Sequence, residues 1–211
     1  MDKFKTKEYF EKYRDVQYSR IFKFESIFET AENELQKKKC AMFLAGLYRD
    51  LISCEISLDI KGSDIVKSVE SYLFYLSFDD SLSLNEYIDA LAMAIIYKCD
   101  EKNVRKIVQL NERLNNGIVM YLLDVLNIDS TIVTEESYDY YNPFEKYISN
   151  VMSDSDFISF INTDWYKSCS DMYWYNSHLS DEEVYTGYWC FLGTALLIIK
   201  GCNIYQSDYL I

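Results

Sequence analysis

Apolar positions along this chain recur at helical rather than strand spacing. Residues 4 to 35 set Phe4, Tyr9, Tyr13, Val16, Tyr18, Phe22, Ile27 and Phe28 among charged side chains, which predicts one long or two shorter solvent-lined helices. Phe43, Leu47, Leu51, Cys54 and Leu58 then advance by four, four, three and four residues, placing all five on one helical face. Gly62 is the expected stop. Ser63 or Asp64 is the expected cap of the next helix, which carries Ile65, Val69, Tyr72, Leu73 and Leu76. Ser83 and Glu86 form a Ser-x-x-Glu capping box ahead of Ile88, Leu91, Ile95 and Ile96. A single longer helix is expected over 103–126, through Ile107, Leu110, Leu114, Ile118, Tyr121, Leu122 and Val125.

The period lapses over 127–142, NIDSTIVTEESYDYYN, which predicts a connector with at most one short extended piece. Pro143 suits the first turn of a helix reaching Met152. Short helices are expected over 155–161 and 163–176. Ser180 and Glu183 make a second capping box, opening a helix over 181–200 that Gly201 stops. One proline and six glycines are too few for the turns of a β-sandwich or barrel. The expected fold class is all-α, with about nine helices in a bundle-like array. Its expected division is an N-terminal helical region over 1–128 and an acidic, aromatic-rich one over 129–211.

At 211 residues and 49% apolar, the chain can bury a substantial core. No stretch approaches the length of a membrane-spanning helix, and the charged N-terminus lacks the apolar run of a signal peptide. A cytoplasmic location without membrane contact is therefore expected. The six cysteines include no C-x-x-C pair and are expected to be reduced packing residues.

Charge changes the picture more. The net −13 is concentrated late, with residues 1–61 holding 12 Lys and Arg against 11 Asp and Glu, and residues 129–211 holding 3 against 13. Such a C-terminal part repels phosphate backbones and attracts a basic partner, so direct nucleic-acid binding is not expected. Catalytic options are few. With His178 as the chain's one histidine, a catalytic triad, a Cys-His pair and a two-histidine zinc site all have to use it or cannot exist. No glycine-rich phosphate loop occurs either. The chain is expected to be no enzyme, with no catalytic residue, metal or cofactor.

Residues 163–211 add a more specific pattern, in which Asp164-Trp-Tyr-Lys167, Trp174, His178 and Tyr185-Thr-Gly-Tyr-Trp-Cys-Phe191 precede a small-residue helix and a closing Tyr209-Leu210. This pattern resembles the PoNi-type bacterial immunity proteins. Leu47 to Leu76, Ile88 to Leu126 and Asn142-Pro-Phe144 are similar to that family's N-terminal pair, central helices and C-terminal entry. Where the family usually carries an acidic residue after Tyr-Trp-x-Phe, Leu192 stands here. The resemblance implies a helical protein that neutralises a cognate polymorphic nuclease toxin, a DNase of the PD-(D/E)xK class. It also implies that Trp165, Tyr188, Trp189 and Phe191 belong to a family-wide core.

A toxin with a basic DNA cleft fits an acidic competitor. The expected partner-binding residues are Glu135, Glu136, Asp139, Tyr140 and Tyr141 in the connector, and Asp181, Glu182 and Glu183 at the late helix start. The carboxylates would pair with toxin Lys and Arg, and the tyrosines would act as central anchors. A helical adaptor for some other basic protein is the alternative. Oligomeric state is not legible.

Overall fold

A computed structural model describes residues 4–129, 138–202 and 207–211. In chain order the α-helices are α1 (Lys7–Glu29), α2 (Glu34–Ser57), α3 (Ser63–Leu76), α4 (Leu84–Tyr97), α5 (Glu101–Leu110), α6 (Gly117–Val125), α7 (Asn142–Ile148), α8 (Asp154–Phe160), α9 (Tyr166–Ser168) and α10 (Phe191–Ile199). The described residues contain no strand, so the fold is all-α. The chain forms two compact units, each assembled from separate stretches of sequence. Unit 1 comprises 1–81, 99–110 and 176–187, and unit 2 comprises 82–98, 111–175 and 188–211.

In unit 1, Thr6 starts α1 by accepting the Tyr9 N–H, and Asn33 starts α2 by accepting that of Gln36. Helix α2 packs on both α1 and α3 and buries Leu44, Leu51, Ile52 and Cys54 completely. The buried stripe of α3 is the expected one, Ile65, Val69, Tyr72, Leu73 and Leu76. Its cap differs, because Gly62, at φ 75°, holds the N-cap position without a side-chain bond and Ser63 is already helical. Helix α1 is one helix, but its buried side is Phe10, Tyr13, Gln17, Ile21 and Phe28, while Val16, Tyr18 and Phe22 are exposed.

Glu55 is buried on α2, where it accepts the Tyr18 hydroxyl at 3.0 Å. Burial pushes its carboxyl above the ordinary value of 4.5, against the opposing pull of its Ser68 and Tyr18 hydrogen bonds and of Arg14. A raised folded-state value means that this group favours folding most below its unfolded value and loses that contribution as pH rises through the folded one. Glu55→Gln, which keeps a carbonyl acceptor, is therefore expected to melt a few degrees above the parent at pH 7. That gain should disappear as pH falls toward 4.5; thermal melts across this range check it.

In unit 2, α4 opens with the expected capping box, in which Ser83 accepts the Glu86 N–H and the Glu86 carboxylate accepts the Ser83 N–H. Helix α4 packs against α6 and α10, and α7 lies between α6 and α8. The single helix expected over 103–126 is instead α5, a 3₁₀ turn at Glu112–Leu114, and α6. Three asparagines cause the break. Asn111 and Asn115 take non-helical backbone angles within the buried interior, and Asn116 caps α6 by accepting the Val119 N–H at 2.9 Å. Asn116→Ala should cost about 1 kcal/mol, read as a shift in the denaturation midpoint.

Pro143 sits in the first turn of α7 as expected, but α7 stops at Ile148, with Asn150 in the left-handed region at φ 60°. The two short helices expected over 155–176 run together instead. Helix α8 continues through a π turn at Ile161–Trp165 into α9 and ends at Ser168. The largest departure is over 181–200, where only Phe191–Ile199 is helical.

Candidate functional site

The acidic residues at 181–183 lie on a non-helical strap, residues 180–187, that bends at 181–183 and belongs to unit 1. Side chains of α1 and α2 supply hydrogen bonds that a helix would otherwise make. The Tyr9 hydroxyl donates to the Tyr185 carbonyl at 3.0 Å and accepts the Tyr185 N–H at 3.1 Å. Ser57 donates to the Thr186 carbonyl at 3.3 Å. The Tyr185 ring is fully buried, with Phe10 at 5.8 Å, Phe4 at 6.0 Å and His178 at 6.1 Å between ring centroids. Gly187 lets the chain leave at φ 111°, a conformation that L side chains rarely adopt.

This arrangement overrides the local capping signal at Ser180. Ser180 does accept an N–H, from Glu182 at 3.1 Å, but in a turn that no helix follows. Asp181 and Glu182 are exposed, whereas Glu183 forms an ion pair with Lys12. The strap thus carries exposed carboxylates just ahead of the pinned backbone of Tyr185 and Thr186. His178 packs on Phe4, with ring centroids 4.2 Å apart and the planes tilted by 34°.

The connector residues divide differently, within unit 2. Glu135 and Glu136 lie outside the described residues. Asp139 is exposed at the start of a 3₁₀ turn, Asp139–Tyr141. Tyr140 and Tyr141 do not stand outward as partner anchors. Tyr141 is only 2% exposed and donates its hydroxyl to the Asn85 side-chain carbonyl. Tyr140 accepts from the Trp165 indole N–H at 3.0 Å and from the Cys169 thiol at 3.7 Å. Burial pushes both phenols well above their usual range, so both stay neutral. Tyr138, 54% exposed, is the tyrosine of this cluster that faces solvent; nothing in the sequence separates it from its two neighbours.

Behind the turn lies an aromatic core. Trp165 packs on Tyr209 at 5.2 Å and on Trp174 at 6.1 Å, and Tyr166 stacks on Tyr209 at 5.9 Å. Tyr188 closes the cluster, 4.7 Å from Tyr166 and 5.4 Å from Trp174. Trp165, Tyr188 and Phe191 are buried and Trp189 is half-buried, so the aromatic motif is architectural. All six cysteines are free thiols, and burial pushes that of Cys190 well above its usual value. Among the described residues no group of three or more His, Cys, Asp or Glu could hold a metal ion. No described helix is long and apolar enough to cross a membrane.

Fold and surface together define an all-helical protein that sets exposed carboxylates on a strap pinned by its own aromatic side chains. Residues 111–205 match the family model for PoNe immunity proteins (PoNi), C-terminal. The matched stretch contains the strap, α10 and the aromatic core apart from Tyr209. No curated protein and no solved structure matches the chain.

Proposed function

We propose that the chain neutralises a cognate PoNe-type DNase by occupying its basic DNA cleft with acidic surface, without catalysis of its own. The observation that carries this is the strap, on which Asp181 and Glu182 stand exposed ahead of Tyr185 and Thr186, whose backbone Tyr9 and Ser57 hold. Residues 129–211 supply the wider field, with 3 basic side chains against 13 acidic ones. Such a field speeds encounter with a cationic cleft, and a preordered strap loses little conformational freedom on docking. In unit 2, Asp139 is a further exposed carboxylate and Tyr138, in place of Tyr140 and Tyr141, the exposed aromatic; Glu135 and Glu136 join the proposed contacts by their charge alone. The site of action is the cytoplasm, where an incoming nuclease meets the chromosome.

The test is titration of the purified toxin domain with the parent and with Asp181→Lys/Glu182→Lys, read as protection of plasmid DNA. The variant should need at least about tenfold more protein, equivalent to about 1.4 kcal/mol. Binding by the parent should weaken as salt rises. Equal protection by parent and variant would remove the strap from the toxin contact.

A further inference from the structure

Unit 1 carries a second surface, along α1 and α2, beyond the strap. On α1, Tyr9, Lys12, Val16, Arg20, Lys23 and Ile27 follow at steps of three, four, four, three and four, which draws one stripe along the helix. The strap occupies the N-terminal end of this stripe, through Tyr9 and Lys12. Further along, Val16, Arg20 and Lys23 are exposed. On α2, Leu35, Lys39, Met42 and Phe43 are exposed at i, i+4, i+7 and i+8. The Phe24 and Phe43 rings, 4.3 Å apart, join the two stripes into one face.

That face is apolar with a basic rim. Leu35 is 63% and Phe43 49% exposed, while Arg20, Lys23 and Lys39 surround them. The strap has the opposite character, with exposed Asp181 and Glu182 beside Leu179, 70% exposed, and Val184. One flank of unit 1 is therefore acidic and apolar at one end, and basic and apolar at the other.

We propose that this flank is self-complementary and binds a second copy of the chain antiparallel, about a two-fold axis. Each copy then sets Asp181 and Glu182 against the other's Arg20, Lys23 and Lys39, and Leu179 and Val184 against Phe43 and Met42, so that the second copy competes with the toxin for the strap. Closed two-fold dimers require such a patch, in which each half meets its complement. A parallel arrangement would bring lysine onto lysine. A basic partner such as the toxin is repelled by the rim, and the chain's net −13 opposes an anionic membrane. The 23 residues of α1 span about 34 Å. With two helices side by side, the flank offers roughly 700 Å², near the ~800 Å² per partner of a stable interface.

The measurement is the mass of the chain alone by sedimentation equilibrium, near physiological salt so that the like net charges are screened. The parent should give twice the 25.0 kDa chain mass. Lys23→Glu and Glu182→Lys should each raise the dimer Kd by at least about tenfold, and the two together in one chain should restore it. A parent that stays monomeric up to about 1 mM, or a dimer that neither single change weakens, would overturn the proposal. Toxin is absent throughout, so the result is independent of the immunity assignment.

Discussion

Tyr185→Ala is expected to lower the stability of unit 1 by about 3–5 kcal/mol, the range for removing a fully buried aromatic ring. The ring fills space bounded by Phe4, Phe10 and His178, none of which can close the gap without leaving another. The effect should reach beyond stability. The hydrogen bonds to Tyr9 use the Tyr185 backbone and could survive in alanine, but the ring is what anchors that backbone. Amide exchange over 180–187 should accelerate more than exchange in the middle of α2. Protection of DNA from the toxin should weaken in parallel, since the carboxylates would lose their fixed setting. Unchanged exchange at the strap alongside a lower melting temperature would assign the ring to packing alone.

Phe157→Ala should cost a similar ~3–5 kcal/mol, here from unit 2. Phe157 is fully buried, stacked on Tyr147 at 4.0 Å with the rings 4° from parallel, and edge-on to Phe144 at 5.7 Å. Aromatic pairs in such geometry contribute about 0.5–1.5 kcal/mol beyond their buried area. Phe157→Leu keeps much of the volume and should recover more than half of the loss. Chemical denaturation of both variants checks this, and equal losses for alanine and leucine would contradict the packing argument.

Much of the helical frame was legible because apolar spacing and burial coincide. In α3 each residue of the expected stripe is buried, and in α4 the capping box forms as written. On α1 they part company. Gln17 takes a fully buried place, donating to the Tyr13 hydroxyl at 3.0 Å, while Phe22 faces solvent. A hydropathy pattern assigns both residues to the wrong side. The helix expected over 181–200 failed for a different reason, since its local capping signal competes with hydroxyls contributed by Tyr9 and Ser57. Sequence distance of more than a hundred residues hides that competition.

The candidate site was legible to the same extent. Acidity at Asp139, Asp181 and Glu182 marks exposed surface, as charge alone suggests. Tyrosine does not carry that information, because a phenol serves equally as a core ring with a hydrogen-bonding tip. Tyr141 found its partner in Asn85, and Tyr140 in Trp165, so the run Tyr138-Asp-Tyr-Tyr141 turns mostly inward. The PoNi likeness at residues 163–211 was visible through aromatic spacing, and Trp165, Tyr185, Tyr188 and Phe191 of that pattern are buried.

Co-expression in a bacterium with the toxin domain encoded immediately upstream tests the central claim most directly, scored by growth and by intact chromosomal DNA. The account predicts rescue with that toxin and continued killing with a noncognate one. Killing by the upstream toxin while both proteins remain soluble would contradict it.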